Sequence, residues 1–276
     1  MTAAAEKNAT VFGANGFVGR ALVSHLKERG YLVRESVRGD TSWRGVDLGH
    51  AFYTIGLTAD FRSRPFETID AHVTLLTEIL RSARLTSFVY CSSTRVYGTT
   101  SSTDEETPIP ALPSNPDHLY NLSKLMGEAA CLGSGLGNAR VARLSNVFGR
   151  DLASQNFLTS ILKDALETGR IHLRSALRSE KDYVWVGDVV RALEAIAVSG
   201  DAPITNVAYG SNTTHGEILD QIRALTGAEV SVEAGAPKVA FPVIATSRLN
   251  RLGVAERTSL SAMMAELVAA FRSPAA

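Results

Sequence analysis

The pair formed by Tyr120 and Lys124 has the residue types and the spacing for acid–base chemistry. Residues four apart lie on one face of a helix. A lysine ammonium beside a phenol lowers the phenol pKa from its usual value of about 10. Such a tyrosine can give or take the proton of a carbinol during hydride transfer. The alternative is two unrelated residues on a helix surface.

A run of hydroxyl side chains follows an apolar segment upstream of this pair. Ser92, Ser93 and Thr94 come directly after residues 87–91, which have the composition of a buried strand. A hydroxyl at this strand end could hold a substrate oxygen beside Tyr120. It could also simply cap the end of the strand.

Three glycines with a regular spacing lie between the first strand and the first helix of the chain. Gly13 permits a tight turn, Gly16 lets the backbone approach a pyrophosphate, and Gly19 lets the helix pack closely on the strand. The context, a strand before and a helix after, is the one that dinucleotide binding requires. The alternative is a glycine-rich turn without a ligand.

The end of the second strand bears on the choice between NAD and NADP. Enzymes that prefer NAD place an acidic residue there, on the ribose 2′-hydroxyl. Here that position holds Val37, and Arg38 follows it. An arginine can pair with a 2′-phosphate, so Arg38 favours NADP. Glu35 could still face the ribose, and Arg38 could be a solvated surface residue.

Composition excludes several classes of protein. The 276 residues include 28 Lys and Arg and 28 Asp and Glu, so the net charge is 0 and nucleic-acid binding is not expected. No signal peptide opens the chain, and no apolar run of about 18 residues occurs, so we expect a cytoplasmic protein without a membrane partner. The two cysteines and six histidines have no metal-ligand spacing, and we expect no metal.

The elements that must position these residues alternate between strand and helix. This pattern predicts an α/β fold with a Rossmann doubly wound parallel sheet. We expect strands at 9–12, 32–37, 50–55, 87–91 and 139–147, and helices at 17–26, 69–80 and 119–132. The second half is mixed, with helices expected at 156–167, 189–198, 215–225 and 260–271 and strands at 204–208 and 230–233.

The chain resembles the extended short-chain dehydrogenases/reductases, the NAD(P)-dependent sugar-nucleotide epimerase/dehydratase family. The resemblance rests first on the glycine turn, on the Tyr120–Lys124 pair and on residues 93–98, which end in the sequence V-Y-G. It rests also on two longer segments, R-L-S-N-V-F-G at 143–149 and K-D-Y-V-W-V-G-D-V at 181–189. It implies that Ser93, Tyr120 and Lys124 are catalytic. It implies a cofactor site made by Gly13, Asn15, Gly16, Phe17, Val18, Gly19, Arg38, Ile55, Gly56, Tyr120 and Lys124. It implies a substrate site made by Ser93, Thr94, Arg95, Asn146 and Lys181, with Lys181 in place of an arginine that grips the nucleotide diphosphate.

Departures from the family pattern narrow the expected reaction. Dehydratases of this family carry an acidic pair where this chain has Thr94 and Arg95, so elimination of water is disfavoured. Arg95 either binds a carboxylate or phosphate of the substrate, or points outwards and pairs with Asp104 or Glu105 in a solvated acidic loop. His72 stands where the family usually has an asparagine that anchors water or backbone.

We therefore expect an NAD(P)-dependent oxidoreductase or epimerase acting on a nucleotide sugar, by 4-epimerisation through a keto intermediate or by reduction of a keto sugar. The alternatives are an NADPH-dependent reductase of a non-sugar ketone and a non-catalytic protein that senses NAD(P). The resemblance also implies a homodimer, formed through the Tyr120 helix and the helix at 69–80.

The length is informative as well. Only 11 residues separate Arg38 from His50, too few for the further helix and strand that the family usually has there. We expect a sheet one strand short at this edge. We expect residues 1–155 to form the cofactor domain and residues 156–276 to form mainly a small substrate lobe, with the chain crossing back to the sheet.

Overall fold

A six-stranded parallel sheet forms the centre of the molecule in the computed structural model, which describes residues 7–58, 60–82, 84–151, 154 and 156–272. Numbered in chain order, its strands are β1 (Asn8–Phe12), β2 (Leu32–Ser36), β3 (His50–Tyr53), β4 (Ser87–Ser93), β5 (Ala139–Leu144) and β9 (Ile204–Val207). Their spatial order is β2-β1-β3-β4-β5-β9. The predicted Rossmann sheet is confirmed.

Helices cover both faces of this sheet. In chain order, the α-helices of the described residues are α1 (Phe17–Glu28), α2 (Pro65–Ile69), α3 (Leu75–Ser82), α4 (Leu119–Leu132), α5 (Phe157–Lys163), α6 (Val186–Ser199), α7 (His215–Thr226), α8 (Ser247–Arg251) and α9 (Leu260–Arg272). Of these, α5, α7 and α9 belong to a second lobe. On one face α1 packs with α6, and on the other α3 packs with α4. Because both faces are covered, the central strands are apolar on both sides, as in β4, where all residues but the last are buried.

A second group of elements forms the mixed lobe predicted for the C-terminal part. One small sheet has the order β10 (Asn212–Thr214), β8 (Glu180–Trp185), β6 (Asn146–Phe148), and a second pairs β7 (Arg170–Leu173) with β11 (Glu229–Val232). With α5, α7 and α9 they enclose a separate apolar core that includes Leu158, Ile218 and Leu267. The expected domain boundary at residue 155 lies outside the described residues and stays a prediction.

Three predicted elements are divided in the structure. The strand expected at 139–147 ends at Leu144, because the chain leaves the large sheet after Ser145 and pairs with β8 from Asn146 onward. The helix expected at 69–80 is interrupted by one π-helical turn, Asp70–Thr74, which carries His72. The helix expected at 156–167 likewise changes after α5 to a π-helical turn, Asp164–Thr168. The first two interruptions occur beside the candidate site.

The sheet ends at β2, so the predicted loss of one strand is confirmed. The short connection between β2 and β3 has its own buried anchor, Trp43, whose ring packs edge-on against Phe12 with 5.8 Å between centroids. Trp43 thereby belongs to the apolar cluster that covers one face of the sheet.

Among the described residues, no helix combines the length and the apolar character needed to cross a bilayer.

Candidate active site

The glycine turn between β1 and α1 is built for close approach of a ligand to the backbone. Gly13 has a φ of +86°, in the left-handed region that favours glycine. A Cβ on Gly19 would lie 2.1 Å from the Gly13 carbonyl oxygen, so only glycine fits there. The first turn of α1 has no side-chain cap, which leaves its N–H groups for an anion. The turn therefore fits a pyrophosphate.

A cavity of about 720 Å³ adjoins this turn and joins it to the mixed lobe. Most of the predicted site residues line it: Gly16, Phe17, Val18, Ile55, Gly56, Ser93, Thr94, Arg95, Tyr120, Lys124, Asn146 and Lys181. Gly13 and Gly19 do not line the cavity, and they act on the shape of the glycine turn instead. Asn15 and Arg38 are exposed, and neither side chain lines the cavity.

The three predicted catalytic residues come from neighbouring elements. Ser93 is the last residue of β4, and Tyr120 and Lys124 lie one turn apart on α4. Both α4 side chains are buried, and Lys124 Nζ donates a hydrogen bond to Cys91 O over 2.9 Å. The structure thus brings the serine hydroxyl, the phenol and the ammonium to one wall of the cavity.

Burial and charge act against each other on these groups. Burial raises the pKa of the Tyr120 phenol, while the Ser93 hydroxyl and the Arg95 guanidinium act to lower this pKa. Burial lowers the pKa of Lys124 to about 8. At Tyr120 burial outweighs both lowering effects, so the pKa of Tyr120 lies above its ordinary value. The lowering expected from Lys124 is therefore wrong for this structure, and the cation that acts in that direction is Arg95.

Arg95 lies inside the cavity and not on the outer surface. Its guanidinium sits over two rings, 4.9 Å from the centroid of Phe61 and 5.1 Å from that of Tyr120. The alternative of an outward arginine paired with Asp104 or Glu105 is wrong, because Arg95 lines the cavity and, among the described residues, forms no ion pair with either carboxylate.

The acidic loop at residues 104–106 is not fully exposed to solvent, because Glu105 is buried. Glu105 lies 3.5 Å from Arg248, and its Oε1 accepts the backbone N–H of Asn206. The buried Glu105 therefore ties this loop to β9 and α8.

The substrate side of the cavity contains two further predicted residues. Asn146 donates to Asp182 O over 2.8 Å, which fixes its amide. Lys181 lies between two aromatic rings, 5.9 Å from the centroid of Phe157 and 5.6 Å from that of Phe241. Burial lowers the pKa of Lys181, and the nearby Arg95 charge adds to this effect.

His72 connects the helix of Tyr120 to the loop beside Gly56. Its Nδ1 is 2.8 Å from Ser123 Oγ, which donates to Tyr120 O, and its Nε2 accepts the N–H of Leu57 over 3.2 Å. Burial lowers the pKa of His72 to about 3, so the imidazole is neutral. The backbone-anchoring role expected for an asparagine at this position is filled by the histidine.

A buried ion pair that the sequence did not reveal supports the end of β4. Arg143 donates to both carboxylate oxygens of Glu128, and Ser92 donates to the same carboxylate. Arg143 also donates to the Tyr97 hydroxyl. The one available signal was that Glu128 follows Lys124 by four residues, on the same face of α4.

The model of the NAD dependent epimerase/dehydratase family matches residues 9–208. A search of curated protein sequences gives no match.

Solved structures share the fold over nearly the whole chain. MoeE5 in complex with UDP-glucose and NAD is 22% identical, with a TM-score of 0.81 over 97% of this chain and 99% of that one. RMD from Pseudomonas aeruginosa complexed with NADPH is 20% identical, with a TM-score of 0.80 over 97% and 99%. UDP-glucose 4-epimerase from Thermotoga maritima with UDP-glucose is 19% identical, with a TM-score of 0.78 over 97% and 99%.

Proposed function

Because this chain belongs to the NAD-dependent epimerase/dehydratase family, we propose that it is an enzyme that transfers hydride between a nicotinamide cofactor and a sugar carbon of a nucleotide sugar. The reaction is 4-epimerisation through a keto intermediate, or reduction of a keto sugar. The observation that carries the proposal is the placement of Ser93, Tyr120 and Lys124 on one wall of a cavity that adjoins the glycine turn.

The side chains divide the proton chemistry among them. Tyr120 takes the hydroxyl proton of the sugar as hydride leaves, and returns it when hydride comes back. Ser93 holds the sugar oxygen in place beside the phenol. Lys124, anchored on Cys91 O, holds a ribose hydroxyl of the cofactor. When bound, the nicotinamide supplies the hydride acceptor or donor.

The cofactor site is the glycine turn and the loop after β3. Gly13, Gly16 and Gly19 allow the pyrophosphate to reach the backbone N–H groups of α1, with Asn15, Phe17 and Val18 beside it. Ile55 and Gly56 lie along the nicotinamide side. Arg38, exposed two residues after the end of β2, binds a 2′-phosphate and so favours NADP.

The substrate site comprises Ser93, Thr94, Arg95, Asn146 and Lys181. The neighbour structures named above contain UDP-glucose in two cases, which supports a nucleotide sugar here. Lys181 holds the diphosphate as a point charge, and Asn146 binds the sugar. Thr94 and Arg95 provide no acid–base pair for eliminating water, so dehydration is disfavoured.

Two other functions use the same cavity differently. Arg38 would also suit an NADPH-dependent reductase of a non-sugar ketone, and that enzyme would not need Asn146 or Lys181. A protein that only senses NAD(P) would not need the Tyr120–Lys124 pair.

Replacing the tyrosine tests the proposal. Wild type incubated with NAD or NADP and UDP-, dTDP- and GDP-sugars should convert at least one of them, as seen by NMR and mass spectrometry. Tyr120→Phe should lower turnover by at least about 100-fold, since it removes the acid–base group, and should leave cofactor affinity nearly unchanged. The control Tyr31→Phe, at a buried tyrosine between α1 and β2, should keep full turnover. Full activity of Tyr120→Phe would refute the catalytic assignment, and absence of turnover with every sugar would refute the substrate class.

A further inference from the structure

We propose that the sugar of this enzyme's substrate carries a carboxylate, which Arg95 binds, so that the substrate is a nucleoside-diphosphate uronic acid; this rests on the proposed function above. The inference starts from the charge balance around Arg95. Within the described residues no carboxylate pairs with its guanidinium.

The acidic groups near Arg95 are already engaged elsewhere. Asp117 pairs with Arg62 at 2.5 Å, and Glu105 pairs with Arg248. The Arg95 side chain also has no hydrogen-bond acceptor within the part of the chain that the structure describes; its hydrogen bonds are those of its backbone, the N–H to Ser93 Oγ and the carbonyl oxygen from Gly98. The half-buried guanidinium therefore keeps its five N–H donors available to an anion in the cavity.

The surroundings hold this cation firmly in place. Phe61 is buried, and its ring and that of Tyr120 both contact the guanidinium. Contacts with ring faces satisfy none of the N–H donors. Arg95 is therefore oriented before any ligand binds, which lowers the entropy cost of binding.

The position of Arg95 assigns the anion to the sugar and not to the diphosphate. Arg95 is two residues from Ser93 and lies over the Tyr120 ring, so it is at the reacting end of the cavity. Lys181, a second cation without a carboxylate partner within 4 Å among the described residues, lies between Phe157 and Phe241 and is available for the diphosphate. A planar guanidinium matches a carboxylate through two parallel hydrogen bonds. The carboxylate of a uronic acid supplies that partner.

The test compares UDP-glucuronic acid with UDP-glucose, which differ only at C6, and repeats the comparison with the corresponding pairs on dTDP and GDP. Wild type should show a kcat/KM at least about tenfold higher on the uronate. Arg95→Gln should lose about 10- to 100-fold on the uronate, the range expected for a charged hydrogen-bonded pair, and less than about threefold on the neutral sugar. Arg95→Lys keeps the positive charge but lacks the planar guanidinium. Its kcat/KM on the uronate should therefore lie between those of wild type and Arg95→Gln.

The matched control is Arg62→Gln. Arg62 also lies over Phe61, at 4.5 Å, but is exposed and paired with Asp117, so its loss should leave the uronate preference unchanged. Circular dichroism of each variant confirms that it is folded. Equal losses on both sugars in Arg95→Gln and Arg95→Lys would mean that Arg95 acts through Tyr120 and would overturn the proposal. Wild-type turnover of UDP-glucose without preference for the uronate would also overturn it, and would leave the proposed function standing. Turnover of no nucleotide sugar would refute both.

Discussion

The His72 imidazole makes the loop beside Gly56 and the helix of Tyr120 a single hydrogen-bonded unit. The ring accepts from Leu57 on one side and contacts Ser123 on the other, and its edge packs on the Tyr120 ring at 5.4 Å. With Nε2 accepting, Nδ1 must carry the proton. Protonation of Nε2 would break the bond to Leu57, which agrees with a pKa of about 3 for His72.

The neutral state of His72 makes stability depend on pH. The ordinary histidine pKa is 6.5, so below this value the unfolded chain takes up a proton that the folded chain does not. Stability should therefore fall as pH drops from 6.5 towards 3, by up to about 1.4 kcal/mol per pH unit for this group. His72→Asn should be less stable than wild type at pH 7, and the difference should narrow by about 2 kcal/mol at pH 5. Urea unfolding at the two pH values measures this.

The matched control for His72→Asn is Ser123→Ala, which keeps the imidazole and removes its partner. That variant should be destabilised by a similar amount at both pH values. If the difference in unfolding free energy between His72→Asn and wild type were the same at pH 7 and pH 5, His72 would be protonated in the folded chain as readily as in the unfolded chain. That result would contradict the neutral state of His72.

At the scale of elements, the position of α1 depends on the absence of a side chain at Gly19. An added Cβ would lie 2.1 Å from the carbonyl oxygen and 2.9 Å from the carbonyl carbon of Gly13, and both are backbone atoms that cannot turn away. The N-terminal turn of α1 would have to move from the site where the pyrophosphate is expected.

Gly19→Ala should therefore weaken binding of NAD and NADP by at least about tenfold. Calorimetry or quenching of protein fluorescence by the cofactor measures the affinity. The control is Gly137→Ala, where nothing lies within 4 Å of the added Cβ and binding should be unchanged. Wild-type affinity in Gly19→Ala would contradict the assigned packing.

Elements with a strong local signal were predicted well, and elements defined by distant partners were not. The helix expected at 119–132 has those limits in the structure, and the glycine turn follows β1 as expected. The strands β7, β8 and β10 were missed, and β6 was merged with β5 in one strand. Their partners lie far away along the chain, and no one segment has a strong alternation. For the same reason the buried Glu128–Arg143 pair and the true position of Arg95 could not be read from spacing alone.

At the scale of the whole molecule, one side carries exposed apolar residues on adjacent helices. Phe66 on α2 is 78% exposed and Met126 on α4 is 57% exposed, and these helices contact each other. Exposed apolar groups of this kind are typical of a protein–protein interface. They agree with the predicted homodimer, which would use the Tyr120 helix.

Met126→Glu should convert that dimer to a monomer, because a carboxylate would have to be buried in the contact. Light scattering should give twice the chain mass of 29.5 kDa for wild type and the single mass for the variant. Val198→Glu is the control, since Val198 is 55% exposed on α6, on the other face of the sheet. A monomeric wild type, or a dimer that only Val198→Glu disrupts, would show that the contact lies elsewhere.

The early end of the sheet at β2 also affects solubility. A terminal strand presents unpaired backbone N–H and C=O groups to which another polypeptide can add, and this is a route to aggregation. β2 is only five residues long, and it carries Arg34 and Glu35, the latter paired with Lys27. Bringing a second strand against this edge would strip water from those charges. The strand exposed by the missing βα unit is thereby protected against edge-to-edge addition, and neutralising Arg34 and Glu35 together would remove that protection.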